Sequence, residues 1–359
     1  MSIRNAEIAI VKASLADKSR WDTYVDTHPD ASPFHRFSWQ QAVFNAYHHS
    51  IAGVMAIDKT SQQIVGVFPA ILMTIPFSGK HLCSLPYCDL GFGVADSSEI
   101  LDEMQQHLIQ SQATLKSRFF ENRAISKTTQ DSGALIGQKV RMVLPLPESS
   151  EALMTSFKSK LRSQIRKAEK NGLTVKLGTA SEYIEWFYQI YARNMRDLGS
   201  PTHSKRWFEA IINAYEDNAL ISVVFNNEAP IGAGLILKNS NAVCIPWAST
   251  LREQNHLAPN MLLYWSLLEH CADNNIKHFD FGRSTYQEGT YRFKKQWGAE
   301  PQLLAWQKFT PQGQIIMQAQ GEGSSGKLRE LIENTWRKLP LGLTIKVGAL
   351  LAYQEKTTN

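Results

Sequence analysis

The sequence predicts an α/β (α+β) protein of two tandem domains, each built on a mixed central sheet flanked by helices. Its 359 residues exceed what one hydrophobic core normally covers, which favours two domains. The apolar pattern predicts the same order twice: a hairpin, a third strand and a helix. Both third strands end in a proline and an aromatic residue, Pro86-Tyr87 and Pro246-Trp247, which we expect to leave the strand ladder. We interpret the chain as a duplicated α/β unit.

The first half begins with a strand and a helix within residues 1–30, followed by a turn-rich link. Ser38 is predicted to cap the next helix, because its hydroxyl can accept from an unpaired backbone N–H. Further along, the pattern predicts a hairpin of strands 51–57 and 64–73, a strand at 81–85, a helix at 99–115 and a strand at 119–125.

The second half begins with a predicted helix at 150–171 and continues to a last strand at 303–309. Ser181 and Asn260 are predicted N-caps of two later helices. Between them the pattern predicts a helix at 204–215 and a three-stranded meander at 220–225, 231–237 and 242–247; a buried helix at 261–273 and a strand at 276–281 follow. We expect domain boundaries at 1–148 and 149–312, with a linker and an amphipathic segment at 313–359.

Composition narrows the function classes. The net charge of +5 is mild and permits an anionic partner such as a nucleotide, a tRNA or an acidic membrane surface. Four cysteines without a C-x-x-C pair suit a reducing compartment, and the start lacks a signal-peptide pattern, so a cytoplasmic protein is expected. No metal-ligand spacing, Walker loop, dinucleotide fingerprint or G-x-S-x-G elbow occurs, and DNA is not an expected partner.

The segment 278–300 gathers polar groups where a strand is predicted to end. Loops held by a rigid strand are common positions for functional residues. The candidate site residues in this segment are Asp280, Arg283, Tyr286, Glu288, Tyr291 and Lys294.

A basic stripe is predicted on helix 150–171. Lys158, Arg162, Arg166 and Lys170 recur every fourth residue, so they lie on one helix face and repel one another. An anionic ligand at that face would offset the repulsion. A solvated helix face is the alternative interpretation.

The last part of the chain changes in composition. Residues 321–327 read as a flexible linker. Residues 328–353 mix leucines with basic side chains, a composition that suits an interfacial helix on a membrane, here the inner membrane, or on a partner. An ordinary helix folded back on the protein is the alternative.

Several stretches together resemble the FemAB (Fem/aminoacyl-tRNA-dependent transferase) family. They are the basic segment 158–172, FDFGRS at 279–284 with GTYRFKKQWGAEP at 289–301, NMRDLGSP at 194–201, PWAST at 246–250 and APNMLLYW at 258–265. The similarity extends over about residues 28–310 and is nearest to FemAB-like proteins of PEP-CTERM/exosortase and exopolysaccharide systems. It implies two tandem GNAT-like domains and transfer of an acyl or aminoacyl group to an amine. Characterised FemAB relatives use aminoacyl-tRNA and modify a peptidoglycan precursor.

Such a reaction requires a cation or a fixed donor for the developing oxyanion. In the family-like segment F-K-x-x-[FW]-G, Lys294 is the matching lysine and is the expected oxyanion or phosphate contact. Asp280 and Arg283 are expected to orient each other and the acceptor amine. Arg162, Arg166 and Lys167 are expected to hold phosphates of a nucleotide-linked or lipid-linked acceptor. Further substrate contacts are expected from Tyr286, Glu288 and Tyr291, and from Tyr87 and Asp89 in the first half.

The donor stays open between aminoacyl-tRNA and acyl-CoA, and no tightly bound cofactor is expected. Acyl-CoA enzymes of this type hold the pyrophosphate on a glycine-rich loop, whereas residues 251–260 contain no glycine. The long heptad arm of some FemAB members is also missing. Since no general base stands out, two alternatives stay open: a non-catalytic module that binds an anionic saccharide or lipid-linked precursor, and a CoA-dependent acetyltransferase.

Overall fold

The computed structural model describes residues 7–76, 78–126, 135–316 and 326–352. Up to residue 126 the elements are β1 (Ile8–Lys12), α1 (Lys18–Thr27), α2 (Phe37–Tyr47), β2 (Ser50–Ile51), β3 (Val54–Asp58), β4 (Ile64–Phe68), β5 (Ile71–Ile75), β6 (Gly79–Cys83), β7 (Val94–Ala95), α3 (Ser98–Leu115) and β8 (Ser117–Ile125).

From residue 135 onward, sixteen further α-helices and β-strands are described. In chain order they are β9 (Lys139–Pro145), α4 (Ser150–Ser156), α5 (Ser159–Lys170), β10 (Leu173–Gly178), α6 (Ser181–Leu198), α7 (Lys205–Tyr215), β11 (Ala219–Asn226), β12 (Ala229–Lys238), β13 (Ala242–Thr250), α8 (Pro259–Asp273), β14 (His278–Thr285), α9 (Gly289–Gln296), β15 (Glu300–Phe309), β16 (Ile315–Ile316), α10 (Gly326–Lys338) and α11 (Leu341–Ala352).

The chain forms two compact units, and both are discontinuous in sequence. The first unit comprises Met1–Gln130 and Leu303–Ala319; the second comprises Asp131–Gln302 and Gln320–Asn359. These limits differ from the predicted boundaries at 148 and 312. The difference arises because β9 pairs with β14 of the second unit, while β15 pairs with β8 of the first.

The first unit contains two sheets. One has the strand order β1-β3-β4-β7, and the other has β15-β8-β6-β5-β2 with β16 on β15. Within the second sheet β6 runs parallel to β8, and the remaining pairs are antiparallel. Helix α3 packs on the first sheet and on β8. A hydrophobic core that includes Phe68, Phe120 and Phe309 lies between α3 and the two sheets.

Two predictions for the first unit were wrong. The expected strand 64–73 is two strands, β4 and β5, because Pro69 cannot donate to a ladder and the chain changes sheet there. The second helix begins at Phe37, so Ser38 lies inside its first turn. The start is fixed instead by Asp22, whose carboxylate accepts from the Phe37 amide (2.7 Å) and pairs with Arg36 (3.3 Å).

The second unit is built on one mixed sheet with the order β10-β11-β12-β13-β14-β9. The predicted meander is present as β11, β12 and β13, and only β13 and β14 run parallel. Helices α6 and α8 both pack on this sheet. Helix α8 is buried on most sides, as its continuous apolar sequence predicted.

Several details of the second unit differ from prediction. The helix expected at 150–171 breaks into α4 and α5, because the backbone of Phe157 is extended. The Phe157 ring packs edge-on against the rings of Trp265 and Trp297, with centroids 6.1 and 5.5 Å away. Neither Ser181 nor Asn260 is a cap, since both already lie within their helices. Trp247 stays in the ladder opposite Leu235, and a register shift next to it absorbs Pro246.

The C-terminal part forms a helical pair that folds back onto the second unit. The break falls at Leu339-Pro340, between α10 and α11. Trp336 and Thr344 are buried, and both helices contact α6. The predicted linker lies mostly outside the described residues. Among the helices that are described, none is long and apolar enough to cross a bilayer.

Candidate active site

The parallel strands β13 and β14 diverge soon after they begin. They pair only over three residues each, from Ala242 opposite His278 to Cys244 opposite Asp280. Beyond that point β13 stays paired with β12, and β14 stays paired with β9. Each strand is therefore held on its outer side while the inner sides separate. A gap of this kind exposes backbone groups at a rigid position, which suits ligand binding.

A β-bulge lies on β14 directly after the divergence. Asp280 pairs with Val143 and Arg283 with Arg141, so Phe281 and Gly282 together oppose one residue of β9. Gly282 has a φ of +75°, in the left-handed region that favours glycine. The segment was predicted as a loop, but the strand continues through the bulge to Thr285, and α9 follows after a short turn.

Lys294 of α9 holds this bulge. Its Nζ donates to the carbonyl oxygens of Gly282 (3.1 Å) and Arg283 (2.8 Å), and the residue is only 8% exposed. A buried ammonium persists where strong acceptors replace its water. Lys294, the lysine predicted from the sequence motif, therefore lies at the bulge and places a positive charge beside the point where β13 and β14 diverge.

Asp280 is buried, and its contacts include a backbone amide and a guanidinium. Its carboxylate accepts from the Gly282 amide (2.8 Å) and lies 3.7 Å from the guanidinium of Arg141. Arg141 Nε also donates to Gln302 Oε1 at 2.7 Å. That Asp280 and Arg283 orient each other stays a prediction; Arg283 is exposed, and Arg141 is a second cation beside Asp280, which the sequence did not indicate.

Ser284 was missed by the sequence reasoning. It is 4% exposed, and among the described residues its Oγ has no hydrogen-bond partner. Buried hydroxyls are normally satisfied, so an unsatisfied one next to the bulge is a candidate ligand contact. Arg141 was also missed, although the alternation of Val140, Met142 and Leu144 indicates a strand there.

The other candidates of this segment surround α9. The rings of Tyr286 and Tyr291 lie 4.8 Å apart, and burial raises the pKa of the Tyr291 phenol. Glu288 precedes the helix as its N-cap residue, with its side chain exposed. Lys295, next to Lys294, is instead paired with Glu300 at the surface (2.6 Å).

The basic stripe is only partly available to a ligand. Arg162 is half-buried, and its Nη1 donates to the carbonyls of Phe157 (2.7 Å) and Thr155 (3.3 Å), so it joins α4 to α5. Arg166 and Lys167 are exposed. Asn171 Nδ2 donates to the Leu257 carbonyl (3.0 Å), which holds the end of α5 beside the start of α8.

The first-unit candidates, Tyr87 and Asp89, follow β6. Tyr87 has a φ of +67°, which is costly for a non-glycine residue. Its hydroxyl lies 3.1 Å from Nε2 of the buried His49. The Asp89 carbonyl accepts from Trp306 Nε1 (3.0 Å), and the Trp306 ring lies 4.4 Å from the Arg123 guanidinium. These contacts fix both positions within the first unit.

No group of three or more metal-ligating side chains occurs among residues 7–76, 78–126, 135–316 and 326–352. The four cysteines are all buried, and none of them forms a disulfide among the described residues. Burial raises the pKa of the Cys271 thiol to about 12, so this thiol is not a nucleophile at neutral pH.

Residues 155–295 match the family described as an acetyltransferase (GNAT) domain. This range contains both diverging strands, the bulge and Lys294. No curated protein sequence matches the chain at a significant level.

Solved structures extend the likeness to both units. A crystal structure of FemX has a TM-score of 0.67 at 13% identity, over 90% of this chain and 100% of that chain. A tandem GNAT protein from the clavulanic acid biosynthesis pathway has a TM-score of 0.50 at 12% identity, over 85% and 99%. The C-terminal domain of a putative lysylphosphatidylglycerol synthetase from Agrobacterium fabrum has 0.52 at 11%, over 82% and 92%. The chain therefore has the fold of two tandem GNAT-like domains.

Proposed function

We propose that this protein is an N-acyltransferase that transfers an acyl or aminoacyl group to an amine of a cell-envelope precursor. The observation that carries the proposal is the gap between β13 and β14, with the Lys294 ammonium at the bulge of β14. Both features lie inside the segment that matches a GNAT domain. A preformed cation stabilises the negative oxygen that develops when an amine attacks an acyl carbon.

The proposed reaction uses few protein groups. The neutral amine forms a bond to the acyl carbon, and the carbonyl oxygen becomes an oxyanion near Lys294 and the Ser284 hydroxyl. The bond from that carbon to the oxygen or sulfur of the donor then breaks, and the proton released by the amine goes to the leaving group. Asp280, buried beside Arg141, is proposed to orient the acceptor amine.

Phosphates of the donor are proposed to lie beside the start of α8. Arg166 and Lys167 are exposed near this end of α5, which the Asn171 contact holds against Leu257. Arg162 is assigned a positioning role instead, because its guanidinium donates to two backbone carbonyls. This arrangement suits either donor, aminoacyl-tRNA or acyl-CoA, since both carry phosphates.

The acceptor is proposed to be a peptidoglycan-type or exopolysaccharide precursor that carries an amine. The resemblance of several motifs to FemAB-like proteins of PEP-CTERM/exosortase systems supports an exopolysaccharide acceptor, and Tyr286, Glu288 and Tyr291 of the second unit are the proposed acceptor contacts. Such a reaction would take place in the cytoplasm, where both donors are made.

The test uses purified full-length protein, donors labelled in the acyl group, and amine acceptors that include a nucleotide-linked muramyl peptide and amino sugars. We expect label on the acceptor amine with one donor class, loss of transfer in Ser284→Ala and Lys294→Met, and retained transfer in Lys295→Met. Ser284→Ala separates chemistry from folding, since the hydroxyl has no described partner to lose.

A catalytically inert binding module is the second candidate. The exposed basic groups of α5 favour it, because they suit an anionic saccharide or lipid-linked carrier without requiring chemistry. Absence of transfer from every acyl-CoA and charged tRNA, together with calorimetric binding of a diphospho-sugar, would replace the enzyme proposal with this one.

A further inference from the structure

The helical pair α10–α11 docks on α6 of the second unit. In α11 the buried residues are Thr344 and Gly348, one turn apart. A Cβ added to Gly348 would lie 2.6 Å from the backbone nitrogen and the hydroxyl of Thr202. The backbone of α11 therefore lies so close to Thr202 that only glycine fits at this position. Trp336 is the buried anchor of α10.

The outward face of the pair carries the large apolar side chains. Leu343 and Leu350 are 45% and 71% exposed and lie two turns apart on one face of α11. On α10, Leu331 is 63% exposed. Ile332, Leu351 and Leu198 are also exposed, and the Leu198 carbonyl accepts from Arg337 Nη2 at 3.3 Å. An ordinary docked helix shows the reverse pattern, with leucines inside.

Basic groups interrupt this apolar surface. Lys346 is exposed between Leu343 and Leu350 on the same face, and Lys338 is exposed at the end of α10. Among residues 330–351, whose side chains the structure describes, three are basic and two are acidic, and one of the acids, Glu333, is half-buried and paired with Arg337 (3.5 Å). The surface is therefore both apolar and positively charged.

We propose that the α10–α11 face is a docking surface for an anionic lipid bilayer. Lysines are depleted from the centres of protein interfaces, whereas a lysine at a bilayer can place its stem among apolar groups and its ammonium among headgroups. Helix α11 has 12 residues, or about 18 Å of helix, so it would lie in the membrane interface and would not span the bilayer. The bilayer would hold the proposed transferase beside lipid-linked precursors, although the docking itself does not depend on that function.

The test is flotation of the full-length protein with vesicles of phosphatidylcholine alone or mixed in equal parts with phosphatidylglycerol. We expect binding to the anionic vesicles that weakens with salt. Leu343→Ser with Leu350→Ser should lower the partition coefficient at least about tenfold, since several buried methylenes are lost. Lys346→Glu should lower it about tenfold on anionic vesicles only.

Matched controls are Leu177→Ser and Lys80→Glu, exposed residues that do not belong to α10 or α11, and both variants should bind as the unaltered protein does. Equal binding of the leucine double variant and its control would overturn the proposal. So would a concentration-dependent dimer, seen by sedimentation and abolished by the double variant, because a second copy would then cover the face. Neither result depends on transferase activity, so the two proposals can fail separately.

Discussion

Replacing Lys294 with methionine should destabilise the second unit, because this lysine is part of its framework as well as a candidate catalytic residue. The change keeps the length of the side chain and removes two charge-assisted hydrogen bonds to backbone carbonyls. Each such bond contributes about 1.5–3 kcal/mol. Removal of a buried charge offsets part of the loss, so we expect a decrease of about 2 kcal/mol in the free energy of unfolding. This differs from the expectation for a purely catalytic lysine, which would leave stability nearly unchanged.

The assay is urea unfolding followed by circular dichroism, in which about 2 kcal/mol moves the midpoint by roughly 1 M. Lys295→Met is the matched control, since Lys295 is exposed and its pair with Glu300 should contribute less than about 1 kcal/mol. If both variants unfold at the same urea concentration, Lys294 does not hold the bulge and the packing argument is wrong.

Two further perturbations test other parts of the second unit. Burial lowers the pKa of His203 to about 4. The unfolded chain, with an ordinary histidine pKa of about 6.5, therefore takes up a proton at a higher pH than the folded protein does. The free energy of unfolding decreases as the pH falls from about 6.5 to about 4. Between about pH 7 and about pH 5, His203→Gln should therefore lose about 2 kcal/mol less unfolding free energy than the unaltered protein; equal slopes would contradict this. Gly348→Ala should undock α11 and speed proteolysis within residues 339–352, whereas Gly342→Ala, which meets nothing within 4 Å, should not; equal cleavage rates would show that close contact with Thr202 is unimportant.

Sequence reasoning predicted the fold well where local patterns decide the outcome. The meander β11–β13 and the buried helix α8 follow from apolar runs separated by turn residues. It failed where distant contacts decide. The break at Phe157 depends on Trp265 and Trp297, and the boundaries of the units depend on the pairing of β9 with β14 and of β15 with β8. Such pairings join segments more than a hundred residues apart, which no local pattern encodes.

The same limit applies to the site. Lys294 was identified from a motif, but its hydrogen bonds to Gly282 and Arg283 required the bulge on β14. Arg162 belonged to a regular basic stripe, yet the helix break turned it toward backbone carbonyls. No sequence pattern singles out Ser284. Its distinguishing property is a buried hydroxyl without a described hydrogen-bond partner, and that property depends on the folded structure. The roles assigned to these residues stay predictions until transfer is measured.

The pairing of β8 with β15 has a consequence during synthesis on the ribosome. Residues 121 and 308 face each other across these strands, and Lys308 pairs with the buried Glu121 at 3.4 Å. When β8 leaves the exit tunnel, Arg123 can already pair with this carboxylate (2.8 Å), but the edge of the strand has no partner until almost two hundred more residues have been translated. Contacts so distant in sequence form slowly and leave an open edge exposed to wrong partners. Nascent chains that stop before β15 should therefore be the aggregation-prone intermediates of this protein.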